Sequence, residues 1–237
     1  MDPKEKLIIA LDVDTKEKAL SLVDTLKGDV KYFKIGLELF ASCGPSIIRD
    51  ISRTGCQIFL DLKLHDIPNT VSKAAINVTS PGIFMLNVHA LGGYEMMKKA
   101  ADSVRQEADR TKIAHPKIIA VTILTSMDEM ALKKAGISDT MDSEVLRLAG
   151  LAKEAGLDGV VASPLEVKLL RKTFGNTFLI VTPGVRPKWA ASGDQKRIAT
   201  PAEAIACGAS YIVVGRPVTE AADRKEAVRK ILEEMKT

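Results

Sequence analysis

Gln57-Ile-Phe-Leu-Asp61-Leu-Lys63-Leu-His-Asp66-Ile-Pro68-Asn69-Thr70 packs a strand, a charge cluster and a helix start into fourteen residues. It opens as an apolar run of strand type, sets Asp61, Lys63 and Asp66 within six residues, and closes on Pro68 and Asn69, where a helical pattern begins. Side chains alternate faces along a strand, so Asp61 and Lys63 are expected to point the same way, carrying a carboxylate and an ammonium into one confined space. Asp66 falls in the turn that follows. As solvated rim charges the three would form a surface ion pair worth at most about 1 kcal/mol. Inside a closed sheet an Asp or Lys needs a partner or a task.

Outward from this stretch the chain alternates. Leu7 to Val13 reads as a buried strand, and Lys16 to Lys27 as a helix with an apolar stripe and Thr15 as N-cap. Tyr32 to Leu37 gives a second strand and Pro45 to Arg53 a second helix; the quoted stretch supplies the third strand and Asn69 to Thr79 the third helix. Strands follow at Ile83 to Ala90, Lys117 to Thr125, Gly159 to Ser163, Phe178 to Val185 and Tyr211 to Gly215. Between them lie helices at Tyr94 to Ala108, an interrupted region from Asp128 to Ala155 broken near Gly136, Leu165 to Phe174 and Pro201 to Ala206, with a last helix from Asp223 to Met235. Strand-helix units of about thirty residues with continuously apolar strands predict a single-domain (β/α)8 TIM barrel over residues 1–237, with its active site at the C-terminal ends of the strands. An open doubly wound sheet is the alternative. No glycine-rich dinucleotide fingerprint follows the first strand, which runs into Asp12-Val13-Asp14-Thr15.

Composition bounds the function. At 237 residues and 46% hydrophobic content the chain can bury one sizeable core. The net charge of +4 is spread without long like-charged runs, which argues against a nucleic-acid arm and suits a phosphorylated substrate. Aromatic residues at 4% leave little for stacking on single-stranded nucleic acid. Cys43, Cys56 and Cys207 lack the paired spacing of a zinc site or disulfide framework and are expected to be reduced thiols. The apolar run Leu7 to Leu11 is too short for a signal-peptide core, and no segment has the length to span a membrane. A soluble, cytoplasmic protein is expected.

In such a barrel the chemistry gathers where strands end. The first strand delivers Asp12, the second Lys34, the third Asp61, Lys63 and Asp66, the fifth Thr125, the seventh Gly184 and Arg186, and the eighth Gly215-Arg216. Asn87 and His89 on the fourth strand read as structural. Gly215-Arg216-Pro217 combines close backbone approach with a guanidinium after the last strand, the makings of a phosphate site. The segment 184–199, with Arg186, Trp189 and Gln195, is long for a barrel loop and reads as a lid over that site.

The quoted stretch, in its part Asp61-Leu-Lys-Leu-His-Asp-Ile-Pro-Asn-Thr70, resembles the orotidine 5'-monophosphate decarboxylases. The likeness continues in Ala10-Leu11-Asp12, Phe33-Lys34-Ile35-Gly36, Glu38-Leu39-Phe40, Asn87-Val88-His89-Ala90, Ala120-Val121-Thr122, Leu124-Thr125-Ser126, Thr182-Pro183-Gly184-Val185-Arg186, Asp194-Gln195 and Ile212-Val213-Val214-Gly215-Arg216. The Asp-x-Lys-x-x-Asp core is shared with metal-dependent enzymes acting on sugar phosphates; Ile-Pro-Asn-Thr and the distant motifs narrow the choice. The resemblance implies decarboxylation of orotidine 5'-monophosphate to uridine 5'-monophosphate without cofactor or metal. It implies Lys63 as the proton donor to C6, with Asp61, Asp66 and Lys34 in the same charge network. By the same likeness Asp12 and Lys34 hold the ribose, Thr125 the pyrimidine edge, Gln195 bridges phosphate and base, and Arg186, Gly215 and Arg216 hold the phosphate. It further implies a homodimer in which Asp66 and Thr70 complete the neighbouring site.

Three other readings share these residues. A magnesium-dependent sugar-phosphate decarboxylase or aldolase would use the same Asp-Lys-Asp core. A Schiff-base enzyme would use Lys63 or Lys34 as nucleophile, although flanking carboxylates push a lysine pKa the wrong way. A regulatory nucleotide-binding barrel would keep the phosphate site and lose the chemistry.

Overall fold

Strands buried on both faces must satisfy every backbone group within the sheet, and eight parallel strands do so here by closing in sequence order, with the last pairing back to the first. The structure, a computed structural model, describes residues 2–190 and 199–236. The strands are β1 (Leu7–Ala10), β2 (Tyr32–Gly36), β3 (Gln57–Leu64), β4 (Ile83–His89), β5 (Lys117–Val121), β6 (Gly159–Val161), β7 (Leu179–Thr182) and β8 (Tyr211–Val214). Closure removes the open-sheet alternative.

The helices that cover the barrel start and stop where local chemistry dictates. Thr15 caps α1 (Lys16–Leu26), its hydroxyl accepting from the Lys18 amide at 3.3 Å. Pro68 opens α4 (Pro68–Val78), following α2 (Leu37–Cys43) and α3 (Ser46–Ser52). After α5 (Gly93–Thr111), the interrupted region divides into α6 (Glu129–Lys134) and α7 (Met141–Glu154). Gly175 at φ 75° ends α8 (Val167–Phe174). Three more helices complete the ring: α9 (Pro201–Ala206), α10 (Arg216–Thr219) and α11 (Arg224–Glu234). Among the described residues no helix is long and apolar enough to cross a membrane. All three cysteines are free thiols.

Two of these helices, α2 and α10, were not expected from the sequence. Three strands are also shorter than their apolar runs: β1 stops at Ala10, β5 at Val121 and β7 at Thr182. Ile123 and Val185, beyond the last two, are nevertheless buried. An apolar side chain reports burial, which does not require a ladder hydrogen bond.

Packing makes the barrel solid at one end and open at the other. Outward residues such as Leu7, Ile9, Phe33 and Leu60 join the helices in one core, while Ile8, Phe59, Met85, Ile119 and Val181 fill the interior. The rings of Tyr32, Phe84 and Tyr211, with centroids 4.6 to 5.7 Å apart, join this interior packing at the N-terminal end. The Tyr32 hydroxyl donates to Glu5 at 3.1 Å, so its polar tip is satisfied. The barrel interior opens into a cavity toward the C-terminal rim.

Arg171 of α8 fastens the strands that carry the basic end of that rim. Its guanidinium donates to the carbonyls of Gly208 (2.6 Å), Gly175 (2.8 Å) and Phe178 (2.5 Å) and to Ser210 Oγ (2.6 Å), while Ser210 Oγ accepts from the Ile180 amide at 3.0 Å. Arg171→Met keeps the stem but orphans these acceptors. A loss of about 2–4 kcal/mol is expected, read in a thermal melt as a Tm lower by roughly 5–15 °C for a chain of this size.

Candidate active site

At the open end, β1, β2 and β3 set four charges in an alternating row. Lys34 Nζ lies 2.9 Å from Asp12 Oδ1 and 3.4 Å from Asp61 Oδ2, and Lys63 Nζ lies 2.8 Å from Asp61 Oδ1. The inner pair is withdrawn from water, with side chains 11% exposed for Lys34 and 13% for Asp61, whereas Asp12 and Lys63 reach the cavity mouth at 50% and 31%. Burial opposes the Lys34 ammonium, but Asp61 and Asp12 outweigh it and hold its pKa above the ordinary lysine value. Burial likewise opposes the Asp61 carboxylate, but Lys34 and Lys63, with hydrogen bonds from Lys63 and Asn87, keep it below the usual range. Both inner groups are charged at neutral pH. Gly36 is part of the fit, because a methyl on its Cα would stand 2.8 Å from Lys34 Nζ and 3.3 Å from Asp12 Oδ1.

Lys63 reaches this row by a route that strand alternation does not describe. Leu60 pairs with Leu86 and Leu64 with Val88, so β3 carries two extra residues against β4. Within that bulge Lys63 sits at φ 51°, in the left-handed region that side chains rarely enter. Asn87, 1% exposed, accepts a hydrogen bond from the Lys63 amide at 2.8 Å and donates one to Asp61 Oδ1 at 2.7 Å. Asp61 and Lys63 do share a face, as expected, but the bulge and Asn87 put them there.

The row lines a cavity of about 620 Å³. Phe59, Val121, Ile123, Val161 and Val213 give it an apolar wall, Thr125 and Ser126 a hydroxyl edge, and Gly184, Arg186, Gly215 and Arg216 a basic end after β7 and β8. Arg186 is only 8% exposed. Burial, then the neighbouring Arg216, lowers its pKa, with Glu220 opposing. Two guanidiniums close enough to repel each other favour an anion between them. The Val185–Ala199 bridge, with the Arg186 amide donating to Ala199 O at 2.9 Å, pins the ends of the 184–199 segment.

Of the residues singled out in the sequence, Asp12, Lys34, Asp61, Lys63, Thr125, Arg186, Gly215 and Arg216 line this one cavity. Asp66 and Thr70 do not. Both are exposed, and Asp66 turns its carboxylate to the amide of Ile67 at 2.6 Å. Gln195 lies outside the described residues. Asn87, read as structural from the sequence, bonds to both Asp61 and Lys63. Glu38, quoted only as part of a motif, and Glu220, not singled out, stand at the cavity rim. The signals for Asn87 were its amide inside an apolar run and its place in the motif Asn87-Val88-His89-Ala90. Among the described residues no three His, Cys, Asp or Glu side chains are grouped to hold a metal ion.

A closed parallel barrel whose C-terminal end holds a lysine-carboxylate row and an arginine pair in one cavity has the architecture of a barrel enzyme, with a basic end suited to a small anion. Comparison with known proteins gives the family. The chain belongs to the Orotidine 5'-phosphate decarboxylase / HUMPS family, which it matches over residues 5–231. It is 50% identical over 235 residues to the orotidine 5'-phosphate decarboxylase of Syntrophotalea carbinolica, covering 99% of this chain and 96% of that protein. It is 48% identical over 234 residues to the Geotalea daltonii protein of the same name, covering 99% and 97%. The crystal structure of orotidine 5'-phosphate decarboxylase from Lactobacillus acidophilus superposes with a TM-score of 0.87 at 42% identity, covering 98% of this chain and 100% of that one.

His89, at the end of β4, stacks on His65 with centroids 5.3 Å apart, and burial, then His65 and Lys63, depresses its pKa to about 4. The folded protein therefore refuses a proton that the unfolded chain accepts near pH 6.5. Stability from this group is full above pH 6.5 and falls as the pH drops toward about 4. His89→Phe keeps the stacked ring and removes the titration. Its Tm is expected to fall less steeply than that of the wild type over this window; parallel slopes would contradict the assignment.

Proposed function

We propose that the chain decarboxylates orotidine 5'-monophosphate to uridine 5'-monophosphate and CO2 in pyrimidine nucleotide synthesis, without cofactor or metal. The observation that carries this reading is the Asp12–Lys34–Asp61–Lys63 row, which brings an ammonium held by a carboxylate into a cavity with a basic far end. When the C6–carboxylate bond breaks, the electron pair stays on C6 in the ring plane, out of conjugation with the ring carbonyls. The stabilising charge must therefore come from outside the ring. Lys63 supplies it and then transfers a proton to C6; the neutral amine regains its proton from solvent. Asp61 holds the ammonium in place and faces the departing carboxylate. Fixed charges aimed at developing charge in a site shielded from water are the largest catalytic resource available to such a protein.

The remaining contacts place the substrate. Asp12 and Lys34 hold the ribose hydroxyls and Thr125 the pyrimidine edge, while Arg186, Gly215 and Arg216 take the phosphate. The segment 184–199 closes over it as a lid, with Gln195 bridging phosphate and base. Phosphate binding can then drive closure and raise the rate at the distant ring. A homodimer would bring Asp66 and Thr70 to the neighbouring subunit's cavity; their exposure at the end of β3 supports that role.

Ultraviolet absorbance tests the reading. Chelator-treated protein is expected to convert the orotate chromophore of orotidine 5'-monophosphate into that of uracil, and orotidine without its phosphate to turn over far more slowly. No conversion would favour the magnesium-dependent sugar-phosphate branch of the fold. Lys63→Ala should lose activity by roughly 10⁴-fold or more, the combined scale of proton transfer and charge stabilisation. It should still bind uridine 5'-monophosphate, which isothermal titration measures.

A further inference from the structure

Asn87 is almost fully buried, does not line the cavity, and yet joins the two groups on which the proposed chemistry depends. Its side-chain oxygen takes the Lys63 amide at 2.8 Å and its NH2 gives to Asp61 Oδ1 at 2.7 Å, the same oxygen that receives Lys63 Nζ at 2.8 Å. The partners dictate which way the amide points, because one is a donor and the other an acceptor. The result is a closed ring of hydrogen bonds from the Lys63 backbone through Asn87 and Asp61 back to the Lys63 ammonium. The lysine is thereby held at both ends.

We propose that Asn87 is a positioning residue that clamps Lys63 in its left-handed bulge and fixes the direction of its ammonium through Asp61. The inference rests on the decarboxylase reading for its consequences but on geometry for its existence. A left-handed φ of 51° in a non-glycine residue is costly and persists only where surrounding structure enforces it. Among the described residues the Asn87 oxygen is the hydrogen-bond acceptor for that backbone amide. Without it the bulge can relax, and the ammonium moves off the line to the reacting carbon. Asp61 also loses a donor, which leaves its Oδ1 to Lys63 alone.

The effect should fall on turnover rather than on binding, since Asn87 makes no contact with the cavity. Asn87→Ala is expected to lower kcat by up to about 100-fold, the scale of an ångström-sized misplacement, with affinity for uridine 5'-monophosphate close to wild type and Tm lowered by the loss of its two hydrogen bonds. Unchanged kcat overturns the proposal. So does a loss of product affinity by as large a factor as kcat, which would make Asn87 a general fold residue.

Asn87→Asp supplies an independent arm. The introduced carboxyl is isosteric with the amide and, when protonated, can both accept from the Lys63 amide and donate to Asp61; ionised, it cannot donate and repels Asp61. The charged groups beside it are Asp61 and Lys63 from β3, Lys34 from β2 through Asp61, and His89 on β4, which stays neutral down to about pH 4. The kcat of this variant should therefore rise on acidification relative to the wild type, and a profile parallel to wild type counts against the proposal. An inactive wild type would instead refute the decarboxylase reading. The clamp is then read without turnover, by carboxyl-carbon NMR of Asp61 in the unliganded protein: Asn87→Ala raises its titration midpoint if the clamp exists and leaves it unmoved if not.

Discussion

The buried contact between Lys34 and Asp61 is the constraint around which the open end of the barrel is arranged. Two ions withdrawn from water at 3.4 Å attract by about 5 kcal/mol at an effective dielectric near 20, before the cost of their desolvation is subtracted. Neither can be removed alone without leaving the other stranded. Each is also committed outward, Lys34 to Asp12 and Asp61 to Lys63, so the charge balance of the buried centre is passed to the two residues that reach the cavity mouth. The row is neutral as a whole and directional at its ends.

That arrangement divides the cavity into two tasks. At one side an ammonium and a carboxylate stand fixed beside each other, and the architecture that fixes them is costly: a two-residue bulge, a left-handed lysine and a buried amide. At the other side Arg186 follows β7 and Arg216 opens α10 after β8, the usual barrel position for a phosphate. Phe59, Val121, Ile123, Val161 and Val213 line the wall between the two ends. Under the proposed function, phosphate binding and chemistry are separated along one molecule, and binding energy gained at the first can be used at the second.

Much of this was legible in the sequence because burial leaves periodic traces. The strands of a parallel barrel are apolar throughout, so β1 to β8 stand out as short hydrophobic runs, and the charges that end them are conspicuous for the same reason. Helix α2 escaped notice because it is seven residues long and buries only Leu39, too little for a stripe. Helix α10 is four residues with a proline inside. The bulge in β3 could not be seen, since register belongs to a pair of strands and no single strand encodes it. Asn87 was hidden by its own success, as a polar residue satisfied inside the barrel looks like any other core amide. Asp66 and Thr70 stand exposed outside the cavity, so their place in the family motif was legible in the sequence while any task of theirs was not.

The central claim is that Lys63 carries a proton to and from C6, and the reverse reaction at the product isolates it from the departure of CO2. Microscopic reversibility requires the group that protonates C6 to remove that proton again. Uridine 5'-monophosphate held with the protein in D2O should acquire deuterium at C6, detected by loss of its proton NMR signal. The wild type is expected to catalyse this exchange and Lys63→Ala to leave it at the uncatalysed rate. Equal exchange by the two proteins would contradict the account.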